Sequence, residues 1–305
     1  MIAQGGVRTL RTQIYWGNIE PLPGRRDWDQ SDQLVSDAAR SGVELLPVLW
    51  GVPRWISDQP ATPPIYSDSH RTAWTAFVRD LVARYGPSGS FWSLHPELPY
   101  SPITSIQVWN EVNLAFYWGG RPNARQYTEL LRLANRALPD RGVDLIAAGV
   151  IPYKTIGVGS VPGDRYLRRL FRVKGARKLI DAVAVHPYGD STRAVLVGIR
   201  RTRTALQSAG VRRPIWVTEF GWSTSGDNWR ATPLRATLSQ QARRVGKTYK
   251  AMRREAKQLG IRRAFYFSLK DTPLPSSNSW ILYMGLFTAD GNPKPAWFAY
   301  QRRAR

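Results

Sequence analysis

The sequence contains no cysteine, which excludes disulfide stapling, thiolate nucleophiles and cysteine-ligated metal centres. Histidine is almost as scarce: His70, His95 and His186 are the whole supply, and they lie far apart in the chain. No set of His, Cys or carboxylate side chains has metal-ligand spacing, so neither a metal nor a cofactor is expected. Gly157-Val-Gly159 lacks the strand-to-helix setting and the Lys-Ser/Thr ending of a phosphate-binding loop. A Gly-x-Ser-x-Gly elbow for a serine nucleophile is also missing. Apolar runs are short, well under the ~18 residues a transmembrane helix needs, so no membrane span is expected. The opening Met1-Ile-Ala-Gln-Gly-Gly6 has no charged segment followed by an apolar one, so no signal peptide is expected in the chain as it stands. Localisation is left undefined, with secretion open if the true start lies upstream.

Acidic residues are the other shortage. There are 22 Asp and Glu against 44 Lys and Arg, a formal net charge of +22, and 36 of the cations are arginine. Such a balance favours acidic partners. Yet the cations are spread along helical stretches, as in Arg165-Tyr-Leu-Arg-Arg-Leu-Phe-Arg172, and no basic tail or nucleic-acid motif is present. A solvated arginine-rich surface is the expectation, with no specific nucleic-acid partner. Oligomeric state is not specified by any feature of the chain.

What the chain does contain is apolar and aromatic. The hydrophobic fraction of 43% suits a sizeable core. Thirteen Trp and 13 Tyr serve either packing or the stacking of sugar rings, and only position separates the two. The length of 305 residues fits one domain spanning 1–305, since a (β/α)8 barrel needs about 250.

Read in order, strand and helix signals alternate. Val7 to Trp16 reads as a strand whose period-two pattern puts Arg11 and Gln13 on one face and Leu10, Thr12 and Ile14 on the other. Further strands are expected at Val43–Trp50, from Ile106 into Asn110-Glu111, at Asp144–Ala148, at Asp181–Val185, from Pro214 to Glu219 and at Arg263–Ser268. Helices are expected between them, the longest from Pro233 to Leu259 and closed by Gly260. The stretch from Gly86 to Pro102 reads as a long loop. Alternation of this kind argues for an α/β fold with a parallel sheet, a (β/α)8 TIM barrel. Seven strands are legible rather than eight, so the first strand and helix are expected to be absent or truncated.

Two strands end on carboxylates. Ile106-Gln-Val-Trp-Asn-Glu-Val-Asn113 stops at Glu111, and Pro214-Ile-Trp-Val-Thr-Glu-Phe-Gly-Trp222 stops at Glu219. The strands of a βα barrel all end on one face, so the fold would bring the two glutamates together. Paired carboxylates flanking one pocket are the equipment for cleaving a glycosidic bond. The bland reading of each glutamate is a surface or salt-bridge residue.

These motifs resemble the clan A retaining glycoside hydrolases, most closely the family 39-like and family 5-like bacterial members. The resemblance extends to Trp16-Gly-Asn-Ile-Glu-Pro21, Val52-Pro-Arg-Trp55, His186-Pro-Tyr188 and the tail from Gly285 to Trp297. It implies hydrolysis of a β-linked oligo- or polysaccharide by double displacement, with Glu111 as acid/base and Glu219 as nucleophile. It places Arg11 beside the nucleophile, Asn110 on the sugar 2-hydroxyl, and His186 and Tyr188 as supports of the site. Trp280 is a candidate platform under the sugar, and Trp50 a candidate cleft wall along with Trp55, Trp118 and Trp222. Two departures stand out: Val112 takes the place of a usual proline, and Lys270 is a candidate contact to an acidic or heavily hydroxylated sugar. The competing class is a non-catalytic carbohydrate-binding protein on a glycosidase-like barrel.

Overall fold

The computed structural model describes residues 3–138, 142–152 and 157–304. Met1 and Ile2, which open the segment read for a leader, lie outside the described residues. Seven strands alternate with seven principal helices. In chain order these are β1 (Thr9–Tyr15), α1 (Asp29–Arg40), β2 (Glu44–Trp50), α2 (Asp68–Tyr85), β3 (Ser105–Val108), α3 (Ala124–Arg136) and β4 (Asp144–Val150). They continue with α4 (Gly163–Leu170), β5 (Ala182–Val185), α5 (Thr192–Ser208), β6 (Ile215–Val217), α6 (Leu238–Leu259), β7 (Ile261–Ala264) and α7 (Pro295–Ala304).

All seven strands form one parallel sheet in sequence order, β1-β2-β3-β4-β5-β6-β7. This is the curled sheet of a (β/α)8 barrel with one strand and helix missing among the described residues. Parallel order in register delivers every strand's C-terminal end to the same rim, where the site is built.

Side chains alternate across the sheet, so two cores form. The larger lies between sheet and helices and includes Val108, Val183, Val185, Phe77 and Leu130. The smaller fills the barrel interior with Leu46, Ile146, Ala182, Ala184 and Trp216, and Phe265 packs against it. Ile14 joins the outer core, while Arg11 reaches across the interior to Gln107 at 3.0 Å. The alternation read along β1 therefore holds.

Local chemistry sets the helix ends. Ser67, Asn123 and Ser191 accept backbone N–H groups at the starts of α2, α3 and α5. At α6, Thr237 and Gln240 form a reciprocal capping box, and Gly260 closes the helix in the left-handed region at φ 66°. Several boundaries differ from the sequence expectation: β3 and β6 stop at Val108 and Val217, short of their glutamates, and β4 runs on to Val150. The helix α6 starts at Leu238 rather than Pro233, because Leu234 and Ala236 hydrogen-bond to the backbone of Ser223 instead of joining the helix. The strand β7 ends at Ala264, four residues before Ser268, as the chain bends over the rim. The long loop from Gly86 to Pro102 contains a short helix, Ser90–Leu94, packed through Phe91 and Trp92.

Candidate active site

The strand β3 ends at Val108, and the next residues turn sharply. Trp109 and Glu111 adopt φ of 69° and 38°, a region costly for residues other than glycine. Packing holds the turn: the Trp109 indole N–H donates to the Tyr117 carbonyl at 2.6 Å, and Leu114 N–H donates to the Glu111 carbonyl at 2.8 Å. The result aims Glu111 into the barrel mouth. Glu219 follows β6 two residues on, and both carboxylates are buried, 7% and 9% exposed. One oxygen from each lies within 4.8 Å of the other.

His186, fully buried at the end of β5, sits between them. Its Nδ1 is 2.8 Å from Glu111 Oε1, and its Nε2 is 3.4 Å from Glu219 Oε1 without hydrogen-bond geometry. The Arg11 guanidinium donates to Glu219 Oε1 at 2.7 Å, to Asn110 Oδ1 at 2.9 Å and to Gln107 at 3.0 Å. Tyr188 donates its hydroxyl to the other Glu219 oxygen at 2.8 Å. Four strands and their loops thus converge on one pair of carboxylates.

The two carboxyls titrate in opposite directions. Burial pushes Glu111 above the ordinary carboxylate range, and the Glu219 charge adds to the rise against the pull of His186. Burial would raise Glu219 too, but His186, the Arg11 guanidinium and the Tyr188 hydroxyl outweigh it and hold Glu219 below its usual value. A carboxylic acid next to a carboxylate is the division of labour that acid/base and nucleophilic work require.

Glu111, His186 and Glu219 also offer one donor atom each within a sphere that a cation would fit. Arg11 already supplies a positive charge at Glu219 and satisfies that side of the cluster.

A cavity of about 1420 Å³ opens above the pair, lined by Arg11, Asn110, Glu111, Tyr188, Glu219 and Trp280, among others. The structure therefore brings Trp280 to the same cavity. Trp50 is not part of that lining. It packs edge-on against Tyr15, Trp109 and Tyr117, and its indole nitrogen is buried without a hydrogen-bond partner among the described residues. Trp118 and Trp222 are buried, and Trp55 packs against Trp16 and donates to the Glu20 carbonyl. Lys270 is exposed and stands apart from the lining.

Two lining residues were not singled out in the sequence. Tyr117 faces the carboxylates, and burial with the charges of Glu111 and Glu219 raises its pKa. Phe267 stands edge-to-face with Tyr188, centroids 6.5 Å apart. Position three residues past the end of a barrel strand was the available signal for Phe267. Tyr117 carried none, since it lies in a loop of several aromatics.

The family profile described as the glycosyl hydrolase catalytic core matches residues 100–300. Among curated proteins, none matches the chain. Solved structures share the fold at low identity. A family 39 glycoside hydrolase from Bacteroides cellulosilyticus is 19% identical, with TM-score 0.69 over 99% of this chain and 59% of its own. The chain thus spans 59% of the length of that relative. A family 5 subfamily 18 protein from Bifidobacterium longum, solved in complex with Manβ1-4GlcNAc, is 15% identical, with TM-score 0.70 over 99% of this chain and 70% of its own. A fungal β-1,4-galactanase structure is 16% identical, with TM-score 0.66 over 99% of this chain and 89% of its own. With its barrel, its buried glutamate pair and a profile match covering most of its length, the chain belongs to the glycosyl hydrolase catalytic core family.

Proposed function

We propose that the chain, acting as one domain, hydrolyses β-linked glycans with retention, or α-L-linked pentosides of the same local geometry. The observation that carries this reading is the approach of the two carboxylates to within 4.8 Å. Retaining enzymes hold the pair about 5–5.5 Å apart, whereas inverting enzymes keep about 6.5–9.5 Å to admit a water.

In the first step a Glu219 oxygen attacks the anomeric carbon, and the bond to the leaving oxygen breaks as Glu111 gives that oxygen its proton. In the second step Glu111, now ionised, takes a proton from water. The water oxygen attacks the same carbon and Glu219 leaves as carboxylate. Arg11 and Tyr188 hold the nucleophile through one oxygen each, so its orientation is fixed before substrate arrives. Asn110, whose carbonyl is engaged by Arg11, lines the same cavity, where its amide would meet a sugar 2-hydroxyl. Trp280 and Phe267 offer ring faces or edges to the sugar. The neighbour solved with Manβ1-4GlcNAc and the β-1,4-galactanase favour a β-linked substrate here. The opposed titration of the two carboxyls disfavours the binding-protein reading, since a sugar binder has no use for a protonated acid beside an ionised one.

The test is intact-mass spectrometry after incubation with a panel of 2-deoxy-2-fluoro glycosides. An adduct on Glu219, absent from Glu219→Gln, is expected and would name the glycone. Turnover of a substrate with inversion at the anomeric carbon would overturn the mechanism.

A further inference from the structure

The charge of this molecule is not spread evenly around the barrel. Residues 1–138 carry 13 Lys and Arg against 12 Asp and Glu, whereas residues 163–305 carry 29 against 8. The strands follow one another in sequence order, so these two stretches are also two sides of the molecule. On the first side, α1 to α3 mix their charges: Arg84 pairs with Asp32, Arg71 lies 2.7 Å from Asp68, and Arg132 lies 3.2 Å from Glu129. On the second side, α4 packs on α5, α5 on α6 and α6 on α7, so the cations of these helices share one outer wall. Carboxylates there are few, and several are already engaged: Glu219 by Arg11, Asp271 by Lys294, and Asp164 by Arg168 at 3.5 Å.

The row along α6 is the sharpest feature of that wall. Arg243, Lys247, Lys250, Arg254 and Lys257 recur at steps of four and three residues, which places them on one face of the helix. All five are exposed. At 1.5 Å of rise per residue the row is about 21 Å long. Glu255 is the one acid of the helix, and it lies 2.7 Å from Arg200 of α5 and 3.5 Å from Arg254. Like charges at this spacing weaken a helix. A face kept only for solubility gains from mixed charges, as α1 and α2 show, so an unmixed row points to an anion that covers it. The row also leads to the rim. Arg244 donates to the carbonyl of Arg235 at 2.9 Å, Arg230 and Arg235 are exposed on the loop after β6, and Leu234 of that loop lines the catalytic cavity.

We propose that the outer face of α6, with the arginines of the rim loop, is a docking surface for an acidic polysaccharide that carries one carboxylate per sugar ring. Neighbouring positions of the row lie about 5–6 Å apart, close to the length of one sugar residue in a linear glycan. Arg243 and Arg254 offer planar forks that grip a carboxylate through two parallel hydrogen bonds. Tyr249, the one aromatic of α6, packs inward on Phe220 and Tyr300, so the row lacks the stacking platforms that unpaired nucleobases use. The choice of a glycan among polyanions rests on the hydrolytic reading above, because the surface ends at the rim of the cavity which that reading assigns to sugar. A glycan held along α6 would be concentrated beside the glutamates by its tether to the outer wall.

Titration calorimetry on the 305-residue chain carrying Glu219→Gln tests this, with a β-linked oligomannuronate as the probe and the neutral oligomannoside of equal length as its control. The uronate is expected to bind at about 0.02 M salt and to weaken as salt rises to about 0.2 M, while the neutral glycan shows neither effect. Arg243→Gln with Lys247→Gln and Lys250→Gln is expected to weaken uronate binding about tenfold or more. Arg40→Gln with Arg79→Gln and Arg125→Gln makes the same change of charge on the first side and is expected to alter affinity by less than about twofold. Lys247→Arg with Lys250→Arg is expected to keep the affinity, and a thermal melt of each variant checks the fold. No binding of the uronate would overturn the proposal, and so would equal losses in the two triple variants, which would make net charge rather than this face responsible. Tighter binding of duplex DNA than of the uronate at equal salt would make the surface one for nucleic acid and overturn the glycan. Binding is read without turnover, so a failed titration leaves the hydrolytic reading standing, and failed labelling of Glu219 leaves the docking surface standing.

Discussion

At the scale of single residues, the site works by giving identical side chains unlike surroundings. Glu111 has burial and a neighbouring anion, and rises; Glu219 has His186, Arg11 and Tyr188, and falls despite burial. On the proposed mechanism the active form has Glu219 ionised and Glu111 protonated. Its acid limb is set by Glu219, below the ordinary carboxylate range, and its alkaline limb by Glu111, above it. Arg11→Met removes the nearest cation from Glu219, so the acid limb of kcat/KM is expected to move to higher pH. A pH–rate profile checks this, and an unmoved acid limb would take Arg11 out of the electrostatics of Glu219. The same shifts bear on stability. Lowered in the fold, Glu219 contributes stability present above its unfolded pKa and lost as pH falls through its folded value. Raised in the fold, Glu111 removes stability as pH rises above its unfolded pKa.

At the scale of elements, the loops after β6 and β7 form one wall, and a buried ion pair within the second reaches the first through Thr224. Lys294 Nζ lies 2.7 and 2.6 Å from the two oxygens of Asp271 and 3.0 Å from Thr224 Oγ1, while Asp271 also accepts from Gly285 N–H. Both charged groups are buried, 3% and 5% exposed, and Ser223 in the same wall donates to the Trp280 carbonyl. Lys294→Met would strand a carboxylate in the interior and is expected to cost about 3–5 kcal/mol. Urea unfolding measures it, and adding Asp271→Leu is expected to return most of the loss. A cost no smaller in the double variant would mean that the wall needs this pair rather than merely tolerating it. Nothing in the sequence drew attention to Lys294; attention fell on Lys270, which the tertiary arrangement leaves at the surface.

At the scale of the whole molecule, a net charge of +22 repels itself. Local pairs such as Arg71–Asp68 and Arg40–Asp37 are exposed and contribute little. Raising ionic strength from about 0.02 to 0.2 M shortens the screening length severalfold. The melting temperature is therefore expected to rise with sodium chloride over this range in differential scanning calorimetry. A flat or falling trend would mean that surface pairs outweigh the repulsion.

The sequence by itself determined the alternation of strand and helix, the count of seven strands and the residues at the strand ends. Period-two and helical patterns are local, and a parallel sheet in chain order follows from them by short right-handed connections. Glu111 and Glu219 were legible because each stands just after a strand whose direction the pattern reveals, whereas Arg11, His186 and Tyr188 were picked out by the resemblance of their motifs. Only the tertiary structure decided which aromatics face sugar and which face core. Trp50 and Trp280 look alike in one dimension, yet one packs among Tyr15, Trp109 and Tyr117 and the other lines the cavity. The direction of each carboxyl's titration was likewise settled in three dimensions. It depends on burial and on charges up to 208 residues away in sequence, as for Arg11 and Glu219, and no local pattern encodes those distances.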